Sequence, residues 1–242
     1  GSLRWMQESG ADLAPWAARA AALQAQGHTV SAVAAMVDSA AGHMPQIMGL
    51  LAFADTAKPG AAAAVQRLAA MGVRSVLVSG DNAGSVAAIA AAVGITEQRA
   101  EVLPADKARL VAELKAGLTG KHERVAMVGD GINDAPALAA ADVGMAIVHM
   151  DGTGTDVAMH AAGITLMRGD PGLVADAIDI SRRTTTKIRQ NLFWAFVFNA
   201  VGIPLAALGM LSPVIAGAAM AMSSVTVVSN ALLLRRWKHP PV

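Results

Sequence analysis

An acidic, glycine-containing turn after an apolar run is the stretch of this chain best suited to chemistry. Val125–Val128 has the composition of a buried parallel strand, and Gly129–Asp134 follows it with two glycines, two aspartates and an asparagine. Ala135-Pro136 then opens a helix, since proline is favoured at a first helical position. Carboxylates are ligands that Mg²⁺ prefers, and glycines before a helix N-terminus favour phosphate. The turn therefore predicts joint binding of a divalent cation and a phosphate group; the alternative is an ordinary acidic turn.

Two further segments carry side chains suited to phosphate. Ser79-Gly80-Asp81 follows a predicted strand, Arg74–Val78. A hydroxyl and a glycine at a strand's carboxyl end can cradle phosphate in an open α/β sheet, although such residues also make ordinary turns. Lys107 lies near the start of a predicted helix, where a cation gains nothing from the helix dipole. It is either a surface lysine or a fixed positive charge beside a phosphoryl group.

The last third of the chain contains two long apolar runs. Asn191–Gly209 and Ser212–Leu234 are each long enough to cross a bilayer of about 30 Å. Arginines and lysines flank their outer ends, and only a short turn joins them. This pattern predicts a transmembrane hairpin with both ends in the cytoplasm. The alternative, a pair of buried core helices, would not need the flanking cations.

A few polar or sulfur-containing side chains lie inside the hairpin. Asn199 is in the middle of the first run, and Met220 and Ser224 are four residues apart, on one helix face, in the second. Small and polar residues often hold membrane helices together. A thioether, however, suits Cu(I) far better than Mg²⁺ or Ca²⁺. These three residues are therefore candidates for binding a soft metal ion.

Composition excludes several classes of protein. The chain has 242 residues, 54% of them hydrophobic, and a net charge of +1. The hydrophobic content is too high for a plain soluble domain, and the small charge argues against nucleic-acid binding. The chain has no cysteine, so it contains neither disulfides nor thiolate metal sites. Gly1–Gly10 lacks the apolar core of a signal peptide.

The remaining predicted elements alternate between strands and helices, as an α/β fold requires. The helices are a segment from Asp12 to Gly27, Gly60–Met71, Ala83–Val93, one through Leu110 and Leu118, and one from Asp170. The strands are Thr29–Met36, Gln46–Ala54 and Val143–Val148.

Gly129–Pro136, G-D-G-I-N-D-A-P, resembles the hinge motif of P-type ATPases, ion pumps with a haloacid dehalogenase-like phosphorylation domain. Other segments resemble that family's motifs in the same order. They are G-S-L-R-W-M at 1–6, D-T-A-K-P at 55–59, S-G-D-N at 79–82, P-A-D-K at 104–107 and G-T-G-T-D-V-A at 152–158. Phe198-Asn199 and M-A-M-S-S at 220–224 resemble the closing-helix motifs of copper- and silver-exporting members.

The resemblance implies roles for individual residues. Asp130 would hold Mg²⁺ and Asp134 would support that site, with Asn133 in the same motif. Ser79 and Gly80, followed by Asp81, would bind phosphoryl oxygens that Lys107 neutralises. Gly1 and Ser2 stand where relatives contact the nucleotide, with Ser2 replacing an asparagine. Asn199, Met220 and Ser224 would bind the transported Cu⁺ or Ag⁺, and Phe198 replaces the usual tyrosine.

The D-K-T-G-T motif, which carries the phosphorylated aspartate in this family, is absent from the 242 residues. The actuator loop T-G-E and the cysteine-bearing metal-entry helix are absent too. The resemblance therefore implies a C-terminal portion of a pump, which is expected to be inactive alone.

The predicted fold class is α/β, haloacid dehalogenase-like with a Rossmann-type parallel sheet, followed by a two-helix transmembrane hairpin. Three parts are expected: 1–45, a remnant of the nucleotide-binding domain; 46–170, the phosphorylation domain without its first strand; and 171–242, a linker helix with spans at about 191–209 and 212–234.

The resemblance implies an ATP-driven pump that exports monovalent copper or silver through an aspartyl-phosphate cycle, with ATP and Mg²⁺ as cofactors. Its partners would be ATP, the metal ion, the lipid bilayer and the N-terminal part of the pump, with no nucleic acid. It would be a multi-pass protein of the bacterial inner or plasma membrane, with the phosphorylation domain in the cytoplasm. The alternatives are an inactive truncated membrane protein that binds a metal or a partner pump, and a haloacid dehalogenase-like phosphatase.

Overall fold

A computed structural model describes residues 1–39, 42–129, 132–148 and 156–237. The chain forms two compact units, Gly1–Val174 and Ala175–Val242. The three-part division expected from the sequence stays a prediction. Its boundary between residues 45 and 46 falls inside a strand that pairs with the strand before it.

The first unit begins with short helices packed against an antiparallel hairpin. Its elements are α1 (Leu3–Glu8), a 3₁₀ turn (Ala14–Trp16), α2 (Ala17–Ala25), β1 (His28–Ser39) and β2 (Gly42–Ala54). The strands pair from His28 opposite Ala54 to Ser39 opposite Gly42, with a register shift after Val33. Met6, Ala11, Ala32 and Ile47 form its buried core. The helix predicted from Asp12 is divided into a 3₁₀ turn and α2, and the Asp12 carboxylate accepts from the Ala14 N–H at 2.9 Å at its start.

Alternating helices and short strands follow. They are α3 (Ala61–Ala70), β3 (Val76–Val78), α4 (Ala83–Val93), β4 (Glu97–Arg99) and α5 (Pro104–Ala116). β3 and β4 are parallel neighbours. The sequence did not predict β4, since three polar residues carry no strand pattern.

A second parallel sheet has the order β5-β6-β7. Its elements are β5 (Ala126–Gly129), a 3₁₀ turn (Ile132–Asp134), α6 (Ala135–Ala140), β6 (Val143–Ile147), α7 (Asp156–Ala161) and β7 (Ile164–Leu166). Leu138 of α6 packs on Ala146 of β6 in a buried cluster. The predicted α/β class with parallel strands is confirmed. Among the described strands, however, the parallel pairings fall into two separate sheets, β3-β4 and β5-β6-β7.

The second unit is a helical hairpin. α8 (Gly172–Ala207) begins in the first unit, α9 covers Pro213–Leu232, and a 3₁₀ turn (Leu233–Arg236) ends the described chain together with Trp237. The polar helix predicted from Asp170 and the first apolar run form one continuous helix. Gly209, at φ +68°, ends the turn after α8, and the Ser212 hydroxyl accepts from the Ile215 N–H at 3.3 Å to cap α9.

Both helices are long and apolar enough to cross a membrane, and their apolar stretches are exposed. At the open end of the hairpin, the Lys187 ammonium donates to the Asn230 side-chain oxygen at 2.7 Å. The Asn230 amide donates in turn to the side chains of Asn191 and Gln190, at 2.8 and 3.3 Å. These bonds hold the outer ends of the two helices side by side, as the predicted hairpin requires.

Candidate functional site

A buried ion pair joins the start of α5 to the turn before α6. Lys107 lies on the first turn of α5, and its ammonium donates to Asp134 Oδ1 at 2.7 Å. Only 17% of the lysine side chain and 12% of the aspartate side chain are exposed. Asp134 follows β5 and precedes α6, so the pair lies at the carboxyl end of a parallel strand, where open α/β sheets bind ligands.

Gly129, the last residue of β5, has no room for a side chain because Asp134 lies against it. A Cβ at this position would lie 2.6 Å from Asp134 Oδ2 and 2.7 Å from Asp134 Cβ. The sequence predicted that this glycine lets the backbone approach a ligand, but the neighbour that needs the space is the Asp134 carboxylate. The glycine thereby allows Asp134 to fold back over the end of the strand.

The other residues of this turn are only partly described. Asp130 and Gly131, including the predicted magnesium ligand, lie outside the described residues. Asn133 is exposed in the 3₁₀ turn, and Pro136 is in the first turn of α6 as predicted. The predicted G-T-G-T segment at 152–155 is also outside the described residues.

Ser79 and Asp81 form a compact turn at the carboxyl end of β3. The Ser79 hydroxyl donates to Asp81 Oδ2 at 2.7 Å, and the Asp81 N–H donates to the Ser79 oxygen at 3.2 Å. The Ser79 N–H donates to the Arg99 carbonyl at 3.0 Å, which continues the pairing with β4, and the Ser79 carbonyl accepts from the Val102 N–H at 3.0 Å. Gly80 is exposed. A hydroxyl and an open backbone are thus presented at this strand end.

Asn82, which the sequence did not select as a site residue, has a structural role next to this turn. Its side-chain oxygen accepts from the Ser85 N–H at 3.0 Å, which caps α4, and its amide donates to the His28 carbonyl at 3.1 Å. Asparagine before a predicted helix is a capping signal, so this role was readable from the sequence. It fixes the start of α4 against β1.

The sequence did not predict a second lysine–aspartate pair, which joins Lys115 of α5 to Asp142. The Lys115 ammonium lies 3.1 Å from Asp142 Oδ1, and the other oxygen of that carboxylate accepts from the Val125 N–H at 2.9 Å. The hydrogen bond from Val125, followed by the one from Lys115, lowers the pKa of Asp142 below its ordinary value. No motif marked these residues, because their proximity depends on how α5 packs against α6.

α5 carries a further charge cluster on its exposed side. Arg109 donates to Asp106 at 3.0 Å and to Glu113 at 2.9 Å. The hydrogen bond and charge of Asp106, with those of Glu113, raise the pKa of Arg109 above its ordinary value. Exposed pairs at this helical spacing contribute little, so they support the helix rather than the site.

The predicted nucleotide residues lie at the edge of the β1-β2 hairpin. The Gly1 amino group donates to the Ala32 carbonyl at 2.9 Å. The Ser2 hydroxyl accepts from the Trp5 N–H at 3.2 Å and caps α1. Both residues are exposed, and the hydroxyl already has this structural role.

The predicted ion-binding residues of the hairpin bond within their own helices. The Asn199 amide donates to the Ala195 carbonyl at 2.7 Å, and the Ser224 hydroxyl donates to the Met220 carbonyl at 3.2 Å. Met220 is 74% exposed. Among the described residues, no cluster of three or more His, Asp or Glu side chains could hold a metal ion.

Comparison with known proteins shows the family to which this chain belongs. The haloacid dehalogenase-like hydrolase family matches residues 1–142, and the chain belongs to that family. The parallel strands with acidic and basic side chains at their carboxyl ends agree with this membership.

Within this class, the chain is similar to heavy-metal P-type ATPases. It is 51% identical over 216 residues to the copper-exporting P-type ATPase of Staphylococcus haemolyticus, which covers 89% of this chain and 25% of that protein. It is 52% identical to the Bacillus subtilis counterpart, again over 216 residues with the same coverage. The probable copper-transporting ATPase PacS of Synechococcus elongatus is 49% identical over 98% of this chain and 31% of its own length.

Solved structures agree with the sequence relatives. A zinc-transporting PIB-type ATPase in the E2.Pi state superposes with a TM-score of 0.72 and 35% identity, over 91% of this chain and 34% of that one. The predicted resemblance to P-type ATPases is confirmed. The chain spans about a quarter of the length of the copper-exporting relatives it matches.

Proposed function

We propose that this chain is the C-terminal part of an ATP-driven P-type pump that exports monovalent copper or silver by way of an aspartyl phosphate. The observation that carries the proposal is the buried contact between Lys107 and Asp134 at the carboxyl end of β5. The two residues are 27 positions apart and belong to different motifs. They meet at the strand end where α/β sheets bind their ligands.

Lys107 supplies the positive charge in this proposal. A fixed ammonium in a site of reduced solvent exposure stabilises charge that develops on a transferring phosphoryl group. Asp134 orients that ammonium through the 2.7 Å bond. Gly80 offers a backbone donor for phosphoryl oxygens. The Ser79 hydroxyl, which donates to Asp81 Oδ2 at 2.7 Å, would turn its proton from that carboxylate to the phosphoryl group.

The donor set at the end of β5 fits a magnesium ion. Asp134 presents a second carboxylate oxygen, Oδ2, toward Gly129, and a hard cation prefers such oxygens. Asp130 is the proposed direct ligand, with Asp134 and Asn133 supporting the site. When bound, Mg²⁺ would neutralise charge on the phosphate oxygens.

The sheets have edges to which a further strand could add, which supports the proposal that the phosphorylated aspartate comes from an earlier part of the pump. β5 pairs with β6 on one side only among the described strands, and Val128 of β5 is 37% exposed. The parallel partner of β3 is β4. A strand carrying D-K-T-G-T, from the part of the pump before residue 1, would lie between the edge of β5 that faces away from β6 and the edge of β3 that faces away from β4. It would bring its aspartate to the Lys107–Asp134 contact.

The hairpin would supply part of the ion pathway. Among its described residues, α9 and the membrane-spanning part of α8 contain no Asp or Glu, so a hard divalent ion would find no carboxylate there. The Met220 thioether, the Asn199 amide oxygen and the Ser224 hydroxyl suit a soft monovalent ion. In the complete pump, neighbouring helices would bring these side chains together.

Location and organisation follow from the same proposal. The pump is a multi-pass protein of the bacterial inner or plasma membrane, and 46–170 faces the cytoplasm. Seven lysines and arginines but only two aspartates lie in 175–242, all outside the apolar runs, which supports a cytoplasmic position for both helix ends. Residues 1–45 would complete the nucleotide-binding domain, where Gly1 and Ser2 lie near ATP, and 171–242 would form the linker and spans.

The test is a chimera in which residues 1–242 replace the matching part of the Bacillus subtilis relative. In membrane vesicles, the chimera should hydrolyse ATP faster when Cu(I) is added and should accumulate copper. A matched chimera with Lys107→Met should insert equally well and do neither. A chimera that inserts and binds ATP but hydrolyses none would favour an inactive metal-binding protein. Copper-independent hydrolysis of soluble phosphate esters would favour a phosphatase.

A further inference from the structure

A basic cavity lies at the open end of the helical hairpin. It has a volume of about 430 Å³ and is formed by the polar first half of α8 and by the 3₁₀ turn after α9. Four cationic side chains and one carboxylate line it. They are Arg182, Arg183, Lys187, Arg236 and Asp179.

The carboxylate connects the two walls of the cavity. Asp179 Oδ2 accepts from the Arg183 guanidinium at 2.8 Å and from the Trp237 indole N–H at 2.8 Å. Lys187 donates to the neutral Asn230 at 2.7 Å, which positions the ammonium without cancelling its charge. Four cations and one aspartate line the cavity, which leaves an excess of positive charge that complements an anion.

The cavity lies at the depth of lipid headgroups if the hairpin crosses a bilayer. Its residues come directly before the apolar stretch of α8 and directly after that of α9. Trp237 on its wall is a typical anchor at the membrane surface, and Leu233 and Leu234 continue the wall toward the apolar stretch of α9. Basic pockets between membrane helices on the cytoplasmic side suit anionic headgroups.

We propose that this cavity binds the headgroup phosphate of an anionic phospholipid, with phosphatidylglycerol as the probe. Arginine guanidinium groups donate to phosphate oxygens in a planar, two-bond geometry, and the cavity offers three of them. The leucines would contact the upper part of the acyl chains. The proposal rests on the membrane hairpin of the proposed function but on neither copper transport nor phosphoryl transfer, so it can fail while those two stand.

The test uses the 242-residue chain in lipid-free detergent and counts retained lipid by native mass spectrometry. Phosphatidylglycerol should bind at least about tenfold more tightly than phosphatidylcholine, since each cation near a headgroup adds roughly fivefold. Arg236→Gln should weaken phosphatidylglycerol binding about fivefold. Arg235→Gln is the matched control: it removes the same charge one residue away but does not line the cavity, and it should change binding less than about twofold.

A second matched pair, Arg182→Gln against Arg189→Gln, repeats the comparison on α8. Circular dichroism establishes that each variant keeps its helices. Equal losses within both pairs would mean that only overall charge attracts lipid, and would overturn the proposal. Displacement of phosphatidylglycerol by equimolar inorganic phosphate or glycerol phosphate would assign the cavity to a free anion instead, which also overturns it.

Discussion

Two lysines of α5 each pair with an aspartate from another element, and the two pairs lie at opposite ends of β5. Lys107 and Asp134 meet at 2.7 Å, with side chains 17% and 12% exposed; Lys115 and Asp142 meet at 3.1 Å, with side chains 35% and 25% exposed. The first pair is at the carboxyl end of β5. The second is at its amino end, where Asp142 also accepts from the Val125 N–H.

The difference shows how the end of a parallel strand at which an ion pair lies bears on whether the pair can serve ligand binding or stability. Ligands bind at the carboxyl ends of strands in open α/β sheets, so a buried ion pair there is available to a phosphate. The pair at the amino end binds a backbone N–H and α5, and therefore fixes the helix to the strands. We therefore propose different roles for the same two residue types because of where the chain places them.

The largest expected effect comes from removing the first lysine. In the chimera with the Bacillus subtilis relative, Lys107→Met should lower Cu(I)-stimulated ATP hydrolysis about 10²–10³-fold, the usual loss when one charge-stabilising group is deleted. Lys115→Met should lower it less than about threefold, because that ammonium is remote from the strand end proposed to bind phosphate. Similar losses in the two variants, measured as steady-state hydrolysis, would remove the distinction between the pairs.

A smaller loss is expected when the space beside Asp134 is filled. Gly129→Ala places a methyl group 2.6 Å from the present position of Asp134 Oδ2, so the carboxylate must shift and its contact with Lys107 is disturbed. Hydrolysis by the chimera should fall at least about tenfold, with a stability cost of about 1–3 kcal/mol. Gly163→Ala is the control, because the nearest atom to its added methyl is the Gly144 carbonyl oxygen at 3.9 Å. Unchanged activity in Gly129→Ala would show that the Lys107–Asp134 geometry is not needed.

Two methionines of the hairpin can be compared in the same way as the two ion pairs. Met220→Leu tests whether the Met220 side chain binds metal or only packs. Leucine conserves volume, so the change should cost less than about 1.5 kcal/mol of stability. It removes the sulfur, and we expect the Cu(I) concentration for half-maximal hydrolysis to rise at least about tenfold, as for loss of a soft ligand. Met222→Leu, also exposed and two residues along α9, should leave the copper titration unchanged. Coincident titration curves for both variants would make Met220 a packing residue.

The smallest effect concerns the second pair and acid stability. The pKa of Asp142 is lowered in the folded chain, so its charged form stabilises the fold above the unfolded pKa of about 3.9, and this contribution disappears as the pH falls through the lower, folded pKa. In detergent, the melting temperature of Asp142→Asn should be below that of the parent at pH 7, and the difference should shrink between about pH 5 and pH 3. A difference that is independent of pH would contradict the ion pair's role.

Motifs predicted the members of the first pair but not their contact. Lys107 and Asp134 were each selected because they occur in recognisable segments, whereas their 2.7 Å approach depends on the packing of α5 against α6. Lys115 and Asp142 belong to no motif, so the second pair was missed. β4 was missed because Glu97–Arg99 is short and polar, and parallel pairing leaves no local sequence signal.

The hairpin was more predictable than the strands. Length, apolar composition and flanking cations indicate two spans without any tertiary information. The sequence did not show that the polar helix after Asp170 and the first span are one helix, α8, because hydropathy changes there while helix propensity does not. Nor did it show the Lys187–Asn230 contact, which joins residues 43 positions apart.

Trapping of the phosphorylated enzyme tests the central claim most directly, namely that this chain supplies Lys107 and Asp134 while an upstream strand supplies the aspartate. The purified 1–242 chain and the chimera are incubated with γ-³²P-labelled ATP and Mg²⁺, quenched in acid and treated with hydroxylamine. The chimera should retain an acid-stable label that hydroxylamine removes, and 1–242 alone should retain none. A hydroxylamine-sensitive adduct on the isolated 242 residues would contradict the claim, because it would place the phosphorylated carboxylate within this chain.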